Sequence, residues 1–170
     1  MKDYPIKIYI AGKITGNPNY KQDFALFKEL IQKDYPNAII LNPATLPEGM
    51  SAADYMRICF AMIDSADLVI FGITAQDSKG ANLEKHYCEY TNKLNIQITQ
   101  SPAFVVHCPL CGHKPEVGCN SGEYFIIDSD INCPVCSEFT KMSYSETALV
   151  NDWNIYAAVH YSLKRKRGSR

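Results

Sequence analysis

The sequence predicts an α/β protein: a Rossmann-like parallel sheet of four or five strands with flanking helices, followed by a small cysteine-rich ribbon and a C-terminal helix. Three observations carry that prediction. From Ile6 to about Thr99, short apolar runs alternate with helical periodicity, the pattern of right-handed βαβ units whose crossovers cover a parallel sheet. Around Ser101-Pro102 the pattern changes, and two Cys-x-x-Cys pairs follow among Gly and Asn residues. A last amphipathic segment begins near Ser145.

Taken in order, Ile6 to Ile10 reads as a buried strand ended by Ala11-Gly12. Asp23 to Lys33 reads as a helix with Phe24, Phe27, Leu30 and Ile31 on one face. Ala38 to Leu41 is a second strand, closed by Asn42-Pro43. Ser51 and Asp54 form a capping box that opens a helix on which Ala53, Met56, Phe60 and Ile63 share a face. Leu68 to Phe71 is a third strand. Gly80 opens a helix with Leu83, Tyr87, Tyr90 and Leu94 as its expected buried stripe, and Asn95 to Thr99 offers a fourth strand. Beyond the boundary, placed at residues 100–104, Tyr124 to Ile127 and Phe139 to Tyr144 are β-prone. On the final helix, Ala148, Trp153, Tyr156 and Ala157 form the expected packing face.

A chain of 170 residues has room for a domain at 1–100 and a smaller module at 104–167. With 46% apolar and 21% charged residues the composition is globular, and a net charge of -1 gives no bulk attraction to nucleic acid or anionic membrane. The apolar runs Ile58–Ile63 and Leu68–Thr74 are too short to span a bilayer, and no signal-peptide core follows Met1, so a cytoplasmic location without membrane attachment is expected. The run Lys164-Arg165-Lys166-Arg167 reads as a solvated tail, with nucleic acid a disfavoured partner.

Cys108-Pro109-Leu110-Cys111-Gly112 and Cys133-Pro134-Val135-Cys136 are two knuckles separated by 21 residues. Each turn aims two sulfurs at one point, so the pairs predict a tetrahedral zinc site of Cys108, Cys111, Cys133 and Cys136. With four protein ligands the site is closed, and the zinc is structural. So short a module needs such a staple to fold. His107 and His113 flank the first knuckle without the expected role of ligands. Of the remaining cysteines, Cys59 and Cys88 read as small packing residues, and Cys119 shows no ligand spacing.

In a parallel sheet, ligands bind beyond the carboxyl ends of the strands. Three segments of the first half bear on such a site. Tyr9-Ile10-Ala11-Gly12-Lys13-Ile14-Thr15-Gly16 is a strand running into a glycine-bearing loop. Ser78-Lys79-Gly80-Ala81-Asn82-Leu83-Glu84 follows the third strand and places Glu84 in the first turn of a helix. Asp64-Ser65-Ala66-Asp67 precedes that strand. Gly12, Lys13, Asp67, Asp77, Ser78, Gly80 and Asn82 are the candidate ligand-binding residues. Each has a plainer reading as well: Glu84 as a solvated acid at a helix N-terminus, Tyr9 as a core aromatic, Asp67 as a helix terminator, and Lys13 and Lys79 as exposed charges.

Over about the first 95 residues these elements resemble the nucleoside 2-deoxyribosyltransferase superfamily, especially its phage-borne branch. Tyr9-Ile10-Ala11-Gly12, Asn42-Pro43, Ala66-Asp67 and Ser78-Lys79-Gly80-Ala81 with Glu84 carry the resemblance. It implies that Glu84, four residues after Gly80, attacks the anomeric carbon of a sugar, and that Tyr9 orients it. Two aspartates of that superfamily are replaced here by Ser78 and Cys59, with Asp77 one residue out of register. The ribbon, with Ala148 and Trp153-Asn154, resembles the Lar-type restriction-alleviation zinc ribbons of phages and prophages.

The expected function is cleavage or transfer at the N-glycosidic bond of a nucleoside, nucleotide or nucleotide-derived signal, by a homo-oligomer, in a bacterial host cell if phage-encoded. A carboxylate fits such chemistry because it can capture an oxocarbenium-like centre. Two alternatives stand beside it. One is a non-catalytic nucleotide or cyclic-nucleotide binder acting in phage counter-defence. The other is a nucleic-acid or protein adaptor working through the ribbon.

Overall fold

A computed structural model describes residues 5–100, 107–108, 110–127, 132–139, 141–143 and 145–168, with backbone alone at 134 and 166–168. The chain divides into two compact units, residues 1–97 and 98–170. Residues 101–104, where the sequence places the boundary, lie outside the described residues, as do the side chains of Lys166 and Arg167 in the basic tail.

The first unit is built on four parallel strands, β1 (Lys7–Ala11), β2 (Ile39–Leu41), β3 (Leu68–Phe71) and β4 (Asn95–Gln97), in the order β2-β1-β3-β4. They are joined through helices α1 (Tyr20–Asp34), α2 (Ala52–Ser65) and α3 (Lys79–Tyr90). β1 and β3 are buried along nearly their whole length, as parallel strands covered on both faces must be. Successive side chains alternate between faces. Tyr9, Ala11, Val69 and Phe71 therefore share one face, where they form a single apolar cluster with Cys59 and Ile63 of α2 and Ala81 and Cys88 of α3. Ile8, Ile10, Leu68 and Ile70 point the other way, fully buried.

The loops at the carboxyl edge begin at paired residues. Ala11 lies opposite Phe71, the Gly72 N–H donates to the Ala11 carbonyl at 2.8 Å, and the Lys13 N–H donates to Thr74 Oγ1 at 3.4 Å. Gly12 suits the packing: a Cβ there would lie 3.1 Å from the Phe24 ring of α1, a tight contact that the ring would have to yield to. At the opposite, amino edge, Asp67 exchanges two bonds with Lys7. Its carboxylate accepts from the Lys7 N–H at 2.7 Å, and its own N–H donates to the Lys7 carbonyl at 2.7 Å.

Several sequence expectations of burial are corrected. On α3 the buried residues are Ala81, Glu84 and Cys88, whereas Leu83 is 49% and Tyr90 87% exposed. The helix meets the sheet at close range through small side chains, and this turns the larger apolar residues outward. Tyr87 is half-buried, stacked on Phe60 with ring centroids 4.3 Å apart. Leu94 is half-buried too, beyond the end of α3. On α1 only Phe24 and Ile31 are buried; Phe27 is half-buried and Leu30 is exposed. Ala53 of α2 is exposed because that helix turns Cys59 and Ile63 inward. Ser51 does cap α2, its hydroxyl accepting from the Asp54 N–H.

The second unit contains an antiparallel sheet of β5 (Glu116–Asn120), β6 (Glu123–Ile127) and β7 (Met142–Ser143), a short helix α4 (Pro134–Glu138), and the long helix α5 (Glu146–Gly168). The expected strand Phe139–Tyr144 is reduced to β7, with Phe139 buried just after α4 and residues 140 and 144 outside the described residues. Leu149 and Trp153, both fully buried, join Ala157 and the cysteines in one core, while Ala148 is exposed because Leu149 takes the inward position. Among the described residues no helix is long and apolar enough to cross a membrane.

The Lys7–Asp67 exchange predicts a stability effect without a binding effect. Asp67→Ala leaves the Lys7 N–H without that acceptor and should lower the unfolding free energy by about 1–2 kcal/mol. A urea titration should show a reduced midpoint, largely restored in Asp67→Asn.

Candidate functional site

The most unusual group in the first unit is a buried carboxyl. Ser78 caps α3, its hydroxyl accepting from the Ala81 N–H at 3.2 Å, so the helix starts at Lys79 and Glu84 lies in its second turn rather than the first. One more turn rotates Glu84 away from solvent onto the sheet, where it is only 6% exposed. The Tyr9 hydroxyl, reaching from the middle of β1, donates to Glu84 Oε1 at 2.7 Å. Cys59 of α2 is buried in the same cluster as Tyr9, Ala81 and Cys88, which places it on the Glu84 side of the sheet. Three elements thus meet around one carboxylate.

Burial dominates the electrostatics of the group. It pushes Glu84 up to about 7, although the Tyr9 hydrogen bond and, to a lesser degree, the Cys59 thiol pull the other way. It also pushes Cys59 and Cys88 up to about 11, and holds Tyr9 well above its ordinary value, with Glu84's charge adding to each effect. At neutral pH the tyrosine and thiols are therefore uncharged, beside a carboxyl that is poised to ionise.

The remaining candidates separate by edge. Gly12, Lys13, Asp77, Ser78, Gly80 and Asn82 lie on segments that leave the carboxyl ends of β1 and β3. The Asn82 amide donates to the Gln76 carbonyl at 3.1 Å, tying α3 to the turn before it. Asp77 and Lys79 are exposed, and Lys13 is half-buried. Asp67 is not brought to this group: it lies at the amino edge, about 13 Å away along a strand of this length. Cys59 and Cys88 pack in the core as the sequence reading expects, and the cluster they belong to is the one that also holds Tyr9.

The second unit gathers Cys108, Cys111, Cys133 and Cys136, whose sulfurs all lie within 4.8 Å of one another. Cys108 and Cys133 sulfurs are 3.6 Å apart, and Cys111 and Cys136 sulfurs 3.7 Å. A tetrahedral four-thiolate centre with metal–sulfur bonds of about 2.3 Å has edges of about 3.8 Å, so the four residues fit a metal of that kind. The first knuckle is closed by the Gly112 N–H donating to the Cys108 carbonyl at 2.9 Å, with Gly112 at φ 78°, a left-handed turn suited to glycine. His107 and His113 are exposed. His113 contributes its carbonyl, which accepts from the Cys108 N–H at 2.8 Å.

Comparison with known proteins follows the same division. The chain is similar to a 2-desoxiribosyltransferase from Leishmania mexicana, with a TM-score of 0.51 over 92% of this chain and 99% of that one. At 14% identity this likeness speaks for the fold. No curated protein matches the chain. A family described as a domain of unknown function, DUF4406, matches residues 6–99. Because that match spans more than half of the 170 residues, the chain belongs to the DUF4406 family.

Proposed function

We propose that the first unit cleaves or transfers the N-glycosidic bond of a nucleoside or nucleotide, with Glu84 as nucleophile and Tyr9 as the residue that orients it. The observation that carries this reading is the 2.7 Å bond from the Tyr9 hydroxyl to an almost wholly buried carboxyl, on a helix that follows the carboxyl end of β3. The likeness in fold to a deoxyribosyltransferase supports it. In the proposed reaction an ionised Glu84 oxygen bonds to the anomeric carbon as the bond to the base breaks. Water or a second base then releases the sugar, giving hydrolysis or exchange. Tyr9 fixes one carboxylate oxygen and leaves the other for attack.

Incubation with a panel of nucleosides and nucleotides tests this directly. Wild-type protein should release free base, and Glu84→Ala should slow release by at least about 1,000-fold. Ligand recovered intact from both proteins would end the catalytic reading in favour of binding alone. As a nucleophile Glu84 must be ionised, so the rate should rise with pH on a limb near 7. Because the Tyr9 hydrogen bond favours the ionised form, Tyr9→Phe should move that limb to higher pH and lower the rate about 10–100-fold.

A second prediction needs no substrate. The carboxyl ionises near 4.5 in the unfolded chain but near 7 when folded, so the folded state holds the extra proton between those values. Stability falls as pH rises through that window, by about 3 kcal/mol in total. Glu84→Gln removes this dependence. Its stability relative to wild type should increase by about 2–3 kcal/mol between pH 5 and pH 8, read from urea titrations at each pH.

For the second unit the proposal is a structural zinc ion held by Cys108, Cys111, Cys133 and Cys136, in a ribbon of the kind that the sequence resembles. Such an ion cross-links the two knuckles and contributes folding free energy to a small core. Purified protein should carry about one zinc per chain. Chelation together with thiol modification should unfold the second unit, while the β-sheet signal of the first persists. A chain purified without stripping that holds far less than one zinc would rule the assignment out.

A further inference from the structure

We propose that the substrates of the Glu84 site are N-glycosides whose base is cationic in the ground state, such as pyridinium or N7-alkylated purine glycosides, and not ordinary neutral nucleosides. This rests on the glycosidic reading above and extends it to the class of leaving group.

Two features of the site converge on this class. The first concerns the proton. A neutral base departs as an anion unless an acid protonates it, and a positioned acid contributes about 100-fold or more. Among the described residues the hydrogen-bond donor to Glu84 is the Tyr9 hydroxyl, at 2.7 Å, with the Cys59 thiol in the buried cluster beside it. Burial holds both above their ordinary acidity range, and the Tyr9 proton is already committed to Glu84. Of Asp64, Asp67 and Asp77, the first two are turned to other tasks and the third makes no hydrogen bond to Glu84 or Tyr9 among the described residues. Asp64 accepts the Tyr87 hydroxyl on the exposed surface, Asp67 lies at the opposite edge of the sheet, and Asp77 is exposed at the end of the turn before α3.

The second feature concerns charge. Glu84 is buried, with the neutral Tyr9 hydroxyl of an apolar cluster as its described hydrogen-bond donor, so its ionised form has a buried negative charge that a cationic ligand would compensate. Lys93, a cation of the same unit, donates instead to the carbonyls of Asp64 and Ala66, at 3.0 Å each. A glycoside carrying its positive charge on the base, next to the anomeric carbon, supplies the missing partner where the carboxylate must act.

The reaction balances without an acid. A Glu84 oxygen forms a bond to the anomeric carbon, the carbon–nitrogen bond breaks, and its electron pair neutralises the ring. Carboxylate and cation become a neutral glycosyl ester and a neutral base. Water then attacks the ester, regenerating the carboxylate and releasing the sugar and one proton to solvent.

Matched pairs test this. 7-Methylguanosine is compared with guanosine, and nicotinamide riboside with its 1,4-dihydro form, each with and without a 5′-phosphate. The readout is the acceleration over the uncatalysed rate, which removes the intrinsic lability of cationic glycosides. The cationic member should be accelerated at least about 100-fold more than its neutral partner, with the acceleration lost in Glu84→Gln. Equal or greater acceleration of the neutral member would overturn the inference and leave the glutamate reading standing. No Glu84-dependent cleavage of any compound would overturn both. Cys59→Asp adds an acid beside Glu84 and should narrow the gap between guanosine and 7-methylguanosine at least about 10-fold, whatever it does to the absolute rates. A folded Cys59→Asp protein that leaves the gap unchanged would count against the proposal.

Discussion

Placing a carboxyl between a helix and a parallel sheet constrains everything packed around it. A charged oxygen in that layer has lost most of its water, and the neighbouring elements must return hydrogen bonds without adding bulk. Tyr9 meets this need because it stands at the middle of β1, with its side chain on the α3 face and a hydroxyl long enough to cross the interface. Ala81 and Cys88, the small residues on the inward face of α3, let the helix approach closely enough for that bond to form. Cys59 completes the arrangement from α2, so the relative placement of β1, α2 and α3 is expressed in the surroundings of one side chain.

Much of this arrangement was legible in the sequence, for reasons that differ by residue. Ile6–Ile10 and Leu68–Phe71 could be read as strands because a parallel strand covered on both faces is a continuous apolar run, bounded here by glycine turns. The α3 face could not. Leu83, Tyr87 and Tyr90 form the more hydrophobic stripe by composition, yet the helix buries Ala81, Glu84 and Cys88, because closeness of approach and a polar partner outweighed side-chain size. No hydrophobicity rule selects a glutamate for the interior. The donor that makes its burial tolerable comes from Tyr9, 75 positions away. Asp67 was misleading for a related reason: adjacency to a strand does not say which end of the sheet a residue faces, and its carboxylate serves the backbone of β1.

The four-thiol cluster lies at the other extreme of legibility. Two Cys-x-x-Cys turns are local geometry, so their spacing alone predicts convergence, and the sulfurs do converge within 4.8 Å. The elements around them were harder to read. The short helix α4 starts inside the second knuckle at Pro134, and β5 contains Gly118 and Cys119 rather than a β-branched run. Such elements are held by their partners more than by propensity: β5 pairs with β6 from Glu116–Ile127 to Asn120–Glu123, and the thiols themselves form part of the core with Leu149 and Trp153. A closed four-thiol centre fixes shape and leaves no ligand position for chemistry, so its clarity in the sequence carries little information about reaction.

The choice of donors around Glu84 has a consequence that a charged partner would not have. An arginine or lysine in the place of Tyr9 would stabilise the carboxylate strongly, lower its basicity and make it a weaker nucleophile. A neutral hydroxyl whose own ionisation is suppressed by burial orients the carboxylate without neutralising it. The thiol of Cys59 acts in the same sense. Among the described residues no cation therefore compensates the charge on Glu84, and burial raises its ionisation point to about 7. On the proposed reading the cost of that burial is recovered when positive charge develops at, or arrives beside, the anomeric carbon. A site whose electrostatics are complete only with a cationic partner favours that partner over the empty state, and the same imbalance that destabilises the free protein stabilises the reacting centre.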